Sequence, residues 1–224
     1  MSHLHLPDGM LPPWLWASGL ALALFVLWRS TRGITPRQVA YQGALGGLML
    51  AAMAIPLGAL EYHLTLAGPM GVLLGAGGAF QVGFTVSAIL AVMGHGGIST
   101  IGLNALITGA GAAGAALVYR SLGPRLRPEW AMAWSTAAGQ ALAGVLWFAI
   151  ATVAVQSAPV GSAAVHDPAH ATERFTLLAL PLWALGVIAE SVVAWGLGRF
   201  LARVHPGLMP FGTGPAAPVP GEAA

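Results

Sequence analysis

The first eight residues, MSHLHLPD, hold two of the seven histidines in the chain. A free α-amine followed closely by histidine is a chelator, because the amine nitrogen, the intervening deprotonated amide nitrogens and the imidazole form fused rings around one metal ion. Such nitrogen sets are planar, so they suit Ni(II) and Cu(II) and fit Zn(II) or Mg(II) poorly. The spacing therefore predicts a transition-metal site at the N-terminus, although a solvated terminus with chance histidines would carry the same residues.

Three versions of this chelate are open, depending on how the N-terminus is processed. With Met1 retained, Met1-Ser2-His3 supplies four nitrogens. With Met1 removed, which the small Ser2 favours, Ser2-His3 supplies three nitrogens and needs one more ligand, from His5 or His63. A non-standard start codon at position 4 would instead leave methionine followed by His5, which again supplies three nitrogens.

The composition defines the kind of protein that must position these ligands. The chain is 224 residues long, 57% hydrophobic and 7% charged, with a mean hydropathy of +0.77. A soluble domain carries about 25% charged residues, so the composition predicts helices that cross a membrane and satisfy their own backbone hydrogen bonds. The absence of cysteine excludes disulfides and thiolate sites and leaves histidine as the strongest ligand. The basic residues are nine arginines, which report membrane topology rather than nucleic-acid binding.

The arginines also decide how often the apolar stretch 64–93 crosses the membrane. If it crosses twice, turning near Gly77-Gly78, eight of the nine arginines fall on one side and only Arg174 on the other, as the positive-inside rule requires. Because a full span needs about 20 residues, these two helices must be short and surrounded by protein. The other apolar segments run from about 11–28, 39–60, 98–119, 130–155 and 175–197.

The predicted fold is therefore an all-α polytopic membrane protein with about seven transmembrane segments, two of them short, and its N-terminus outside. It should be a multi-pass protein of the cell's inner (plasma) membrane. Residues 1–205 are expected to form a single transmembrane metal-binding domain, and the Pro- and Gly-rich residues 206–224 a disordered cytoplasmic tail.

This topology places six of the seven histidines on the outer side and only His205 inside. His63 and His95 lie at segment junctions, where they could converge with the N-terminus. His166 and His170 lie in a predicted polar loop over 156–174 and are interpreted as solvated rather than as ligands.

Two stretches of the chain resemble motifs of the CbiM/NikM family, the substrate-binding components of energy-coupling-factor transporters for cobalt and nickel. His5-Leu6-Pro7-Asp8-Gly9 resembles the family's N-terminal His-Ile-Pro-Asp-Gly signature. The stretch from His95 to Asn104, HGGISTIGLN, is similar to its His-Gly-Gly-Leu-Thr-x-Leu-Gly-Ala-Asn segment. The resemblance implies seven helices, with the N-terminus threaded into the bundle as part of the metal site.

The chain departs from this family pattern at two points. The family's metal-binding histidine directly follows the start methionine, whereas three residues separate Met1 from His5, so either His3 or His5 could complete the chelate. Where nickel transporters have a second histidine, this chain has Val72, and the nearest candidate for the fourth ligand is His63.

Four further polar residues have possible roles beside the histidines. Asp8 could hydrogen-bond an imidazole and orient it. Asn104 could make an interhelical hydrogen bond or brace the ligand-bearing loop. Glu190 lies inside the last span, where an ionisable residue is a functional candidate by default. Gln140 is interpreted as a packing residue.

The leading interpretation is a metal-capturing membrane subunit whose transported substrate is Ni(II) or Co(II). It has no Walker A motif and no enzyme-like residue set, so it cannot use ATP itself. The resemblance implies a transmembrane coupling subunit and two cytoplasmic ABC ATPases as partners, with a small auxiliary membrane subunit often separate. The alternatives are a proton-coupled secondary transporter that uses Glu190 and the outer histidines, and a structural membrane subunit without a ligand.

Overall fold

The protein is all-helical in the computed structural model, which describes residues 6–56, 62–157 and 168–210. Those residues form six α-helices, followed by a short 3-10 helix at Pro206–Leu208 and no β-strand. The α-helices are α1 Pro13–Ser30, α2 Pro36–Ala54, α3 Ala67–Val92, α4 Ile101–Leu122, α5 Pro128–Ser157 and α6 Pro168–Val204.

Local sequence explains several helix boundaries. The side chains of Thr35 and Gln38 form a reciprocal capping box at the start of α2. That helix ends at Ala54 because the residue before Pro56 is driven into extended backbone. At the start of α6, Pro168 supplies the fixed φ of a first helical turn. The predicted polar loop 156–174 was therefore too long, and His170 and Arg174 lie in α6.

Helix α3 folds back on itself. Gly75 has φ 69° and ψ 171°, a conformation outside the helical region, and it divides the helix into two unequal parts. The chain before and after α3 returns to the same place, because the rings of His63 and His95 lie 5.5 Å apart, centroid to centroid. The turn expected near Gly77-Gly78 thus occurs at Gly75, where glycine tolerates a positive φ.

The bundle has two chemically different ends. At the histidine end lie His63, His95 and Leu6. At the opposite end, which we call the arginine end, the α3 turn packs against the α1–α2 connection, where Gln81 donates a hydrogen bond to the carbonyl of Ser30 (2.6 Å). The ends of α4 and α6 meet there as well, through a cluster that contains Tyr119. Eight arginines lie at or beside this end, in the three segments 29–37, 120–127 and 199–203.

Close helix packing depends on small residues in α3, α4 and α5. A Cβ on Gly71 would collide with the backbone carbonyl of Ala112 in α4. Between α4 and α5, a Cβ on Gly139 would collide with the carbonyl of Gly111. Such glycine contacts let backbones approach closely where apolar burial alone gives no preference between helix and lipid. They place α4 in the middle of the bundle, between α3 and α5.

Among the described residues, four helical stretches are long and apolar enough to cross a membrane: α3, α4, 128–154 in α5 and 176–204 in α6. The protein is thus a multi-pass membrane protein, as predicted. Seven membrane crossings and an outer N-terminus stay predictions. Ordered structure continues past residue 205, since Met209 is buried in the cluster at the arginine end that contains Tyr119. Residues 211–224 of the predicted tail lie outside the described residues.

Candidate metal centre

The N-terminal segment is anchored inside the bundle at Leu6, the residue that follows His5. The side chain of Leu6 is 2% exposed. Its backbone N–H donates to Oδ1 of Asn104 (2.8 Å), and its carbonyl accepts from Nδ2 of Asn104 (3.2 Å), from Oγ1 of Thr100 (2.5 Å) and from the N–H of Gly97 (3.2 Å). Both backbone polar groups of this buried residue are therefore satisfied, which is the condition for threading a chain terminus into an apolar interior.

Asp8 makes a second attachment two residues further along the chain. Its carboxylate accepts from the backbone N–H groups of Ile98 and Ser99 (both 2.8 Å) and from the hydroxyl of Ser99 (2.5 Å). The Ser99 hydroxyl, followed by the Ile98 and Ser99 amides, lowers the pKa of Asp8 below its ordinary value, because each of these bonds favours the charged form. Asp8 thus binds the 97–100 turn as an anion at neutral pH.

The turn that receives Leu6 to Asp8 is built around glycine. Gly94 and Gly96 have φ angles of +83° and +96°, a region that residues with a Cβ rarely adopt. Gly97 is needed for a different reason: a Cβ there would lie 2.5 Å from the backbone nitrogen and from Oδ1 of Asp8. The motif HGGIST therefore makes the tight turn and also leaves the space that Leu6 to Asp8 occupy.

Two histidines face one another beside this attachment. His63 is 8% exposed, and its Nδ1 lies 2.6 Å from the backbone carbonyl of Met53. Since a carbonyl can only accept, Nδ1 carries a proton, so the lone pair of the neutral ring is on Nε2. That tautomer is the one in which a metal-binding histidine is usually held. His95 is exposed, and its ring is tilted by 58° against that of His63.

The chemistry-bearing residues predicted from sequence form two groups, those that the structure describes and those that it does not. The first group, Asp8, Asn104, His63 and His95, lies at the histidine end. Asp8 and Asn104 make hydrogen bonds there, and the rings of His63 and His95 contact each other. Outside the described residues lie Met1, Ser2, His3, His5 and His166, and the side chain of His170 is likewise not described. The described residues by themselves contain no group of three or more ligand-type side chains that could hold a metal ion. The metal roles of the six proposed ligands stay predictions.

Sequence reasoning did not single out several residues that hold this arrangement together. Thr100 and Ser99 were quoted within the HGGIST motif, and their hydroxyls bind Leu6 and Asp8. Gln140, which was interpreted as packing, donates from Nε2 to Oγ1 of Thr65 (2.7 Å). The motif itself was a usable signal for the first pair. Nothing local in the sequence indicates the second contact, which joins residues 75 positions apart.

Comparison with known proteins places this geometry in a family. The family model described as "Cobalt uptake substrate-specific transmembrane region" matches residues 5–208, the whole of the helical bundle. The chain belongs to the CbiM family. The function that this family name describes is uptake of a transition metal across a membrane by a substrate-specific transmembrane component, and the segment that begins the match is the one anchored at Leu6 and Asp8.

Solved structures have the same fold. A chain described as a transition metal transporter superimposes with a TM-score of 0.73 at 18% sequence identity, covering 89% of this chain and 93% of that one. A truncated transition metal transporter gives a TM-score of 0.72 at 17% identity, covering 88% of this chain and 97% of that one. No curated protein gave a significant match by sequence. At these identities the structural likeness concerns the fold, and membership of the CbiM family rests on the family model.

Proposed function

We propose that this CbiM-family protein is the metal-capturing membrane subunit of an energy-coupling-factor importer for Ni(II) or Co(II). Its ligands are the α-amine and first amides of the mature chain together with the histidines of the histidine end. The observation that carries the proposal is the anchoring of Leu6. Leu6 is held by Asn104 and Thr100 and bonded to Gly97 of the 95–97 turn, and His5 is the residue that directly precedes it in the chain.

The ligand geometry follows from the contacts around that turn. Gly97 bonds to Leu6, and two residues earlier His95 brings its ring against His63. The N-terminal amine, one of its histidines and Nε2 of His63 can therefore approach one ion. A set made of amine, amide and imidazole nitrogens is planar and therefore favours Ni(II), which accepts square-planar coordination. Zn(II) and Mg(II) prefer tetrahedral and octahedral coordination and fit such a set poorly. Cobalt is the other candidate because of the family to which the chain belongs.

Transport by this chain requires energy from elsewhere, so the proposal includes partners. We propose a transmembrane coupling subunit and two cytoplasmic ABC ATPases, with a small auxiliary membrane subunit as a further component. The alternative is a secondary transporter in which Glu190 relays protons. Against it, both oxygens of Glu190 accept hydrogen bonds from the backbone N–H groups of Thr65 and Leu66, an arrangement that suits a fixed structural contact.

The decisive experiment compares two forms of the purified protein that differ only at the N-terminus. Protein with a native, mass-verified N-terminus should bind nickel and show the yellow d–d band of low-spin planar Ni(II). Protein whose α-amine is acetylated or extended by a tag should lose that binding with every histidine still present. Equal nickel affinity of the two forms would exclude the amine as a ligand.

A second experiment separates the two energy sources in cells. Metal uptake should require co-expression of the coupling subunit and the ATPases. Uptake by this chain alone that stops when the proton gradient is collapsed would instead establish the secondary transporter.

A further inference from the structure

Glu190 is the most deeply placed ionisable group in the described part of the protein. Its side chain is 0% exposed and lies in the middle of α6. The described residues contain one ion pair, Arg127 with Glu129 at the arginine end, so Glu190 has no cationic partner among them. An ionisable residue at membrane depth is costly, and its retention calls for a specific contact.

That contact is the backbone just before α3. The two carboxylate oxygens of Glu190 accept hydrogen bonds from the N–H groups of Thr65 and Leu66, the second at 3.2 Å. Gln140 from α5 reaches the same place and donates to the hydroxyl of Thr65. Helices α5 and α6, both distant in sequence from residue 65, thus contact one short segment, 63–66, which begins with His63 and leads into α3.

The segment needs such support because its conformation is unfavourable. Leu66 has φ +52°, the one positive φ of a non-glycine residue in the described chain. A leucine in the left-handed region persists only where the surroundings impose it. Without Glu190, the N–H groups of Thr65 and Leu66 would be left without these acceptors in an apolar interior, and the backbone could relax toward ordinary φ values.

We propose that Glu190 is a positioning residue for the metal site: it fixes the 63–66 segment and thereby sets the place of His63 opposite His95. The proposal rests on the proposed function in so far as His63 is a ligand. His63 is held on its other side by Met53, so the imidazole is fixed between the end of α2 and the Glu190 contact. The carboxylate acts through the backbone two residues away and does not itself bind the metal.

The first test needs no metal and is therefore independent of the proposed function. The chain contains no cysteine, so His63→Cys introduces a single thiol at a position where the native side chain is 8% exposed. Adding Glu190→Gln replaces one acceptor oxygen by an NH2 group, which cannot accept, and the thiol should then react with a small maleimide about tenfold faster, since a freed segment opens more often. An unchanged rate would overturn the proposal.

A matched control lies next to Glu190 in the same helix. Ser191 donates to the carbonyl of Val187 within α6 (2.7 Å), so Ser191→Ala removes a hydrogen bond from α6 without touching the 63–66 segment. It should leave the labelling rate at position 63 unchanged. A rise equal to that caused by Glu190→Gln would show a general loosening of α6 and would refute the specific contact. If Glu190→Gln does not fold, Gln140→Leu removes the second support of the segment and should raise the rate in the same sense.

The second test asks whether Glu190 acts through His63, by a double-mutant cycle in nickel affinity. Glu190→Gln should weaken nickel binding about tenfold in the native background, as loss of a residue that orients a ligand does. In the His63→Ala background the same change should have no effect on affinity. Equal losses in both backgrounds would overturn the positioning role. If native protein bound neither nickel nor cobalt, the proposed function would fail while the labelling test still decided the contact.

Discussion

Asp8 and Ser99 are joined by two hydrogen bonds across 91 positions of sequence, one from the Ser99 backbone N–H at 2.8 Å and one from its hydroxyl at 2.5 Å. Together with the Leu6 contacts, this pair attaches the start of the chain to the turn between α3 and α4. In the proposed metal site, this attachment would fix the N-terminal chelate to the bundle, which a free peptide of the same sequence would lack.

We expect Asp8→Asn to weaken nickel binding by about tenfold, by analogy with other residues that orient ligands. Asparagine has one acceptor oxygen, so at least one of the Ile98 and Ser99 donors loses its partner. Titration calorimetry with native N-termini would measure the change.

The pH dependence of this variant follows from the lowered pKa of Asp8. A carboxylate whose folded-state pKa is depressed contributes fully above its ordinary value of about 3.9 and loses the contribution only as the pH falls through the folded pKa. Between pH 5 and 8 the plots of log affinity against pH for native and Asp8→Asn protein should therefore run parallel. Convergence of the two plots within that range would contradict the assigned charge state.

Gly97→Ala should abolish the docking of the segment Leu6 to Asp8. Its Cβ would lie 2.5 Å from two atoms of Asp8, a distance at which the N-terminal segment must move away. Gly43 in α2 is a matched control, because a Cβ there has no atom within 4 Å. We expect nickel binding to fall at least tenfold in Gly97→Ala, in keeping with the effect of losing the groups that hold a ligand, and to stay unchanged in Gly43→Ala. Thermal unfolding of both variants would identify a global effect.

His63→Ala should reduce nickel affinity most strongly when Met1 has been removed, because Ser2-His3 then supplies three nitrogens and needs a fourth ligand. If Met1 is retained, the loss should be mild. Intact-mass spectrometry of each preparation determines which case applies. His205→Ala, at the arginine end, is the control and should bind nickel like the native protein. Similar losses in the two variants would argue against a site at the histidine end.

Cysteine labelling in cells would test the orientation of the bundle. His95→Cys should react with a membrane-impermeant thiol reagent added from outside. Thr31→Cys, in the α1–α2 connection, and Ser121→Cys, in the last turn of α4, are at exposed positions of the arginine end and should react only after the membrane is made permeable. If one of positions 31 and 121 reacted from outside and the other did not, the stretch between them would cross the membrane an odd number of times. The predicted topology requires an even number.

Sequence was sufficient for the class of protein and for the two motifs of the site. A charged fraction of 7% and a mean hydropathy of +0.77 predicted helices in lipid, and the chain is an all-helical membrane protein. The arginine pattern predicted a turn within 64–93, and the chain does fold back there, at Gly75. The motif at 5–9 and the motif at 95–104 could be recognised separately, because each is local and contains the glycines and polar residues that its backbone requires.

Only the tertiary structure decided which polar groups meet. Asn104 had two possible roles on sequence grounds, and the bundle directs its side chain to the backbone of Leu6. Glu190 was a functional candidate on sequence grounds alone, and packing of α6 against the start of α3 brings its carboxylate to the backbone of Thr65 and Leu66. Composition and periodicity determine that a helix forms and enters the membrane, because these depend on local backbone bonding and hydrophobicity. Contacts across about 100 residues depend on how glycine-lined helices such as α4 and α5 fit together, and that fit is a property of the whole bundle.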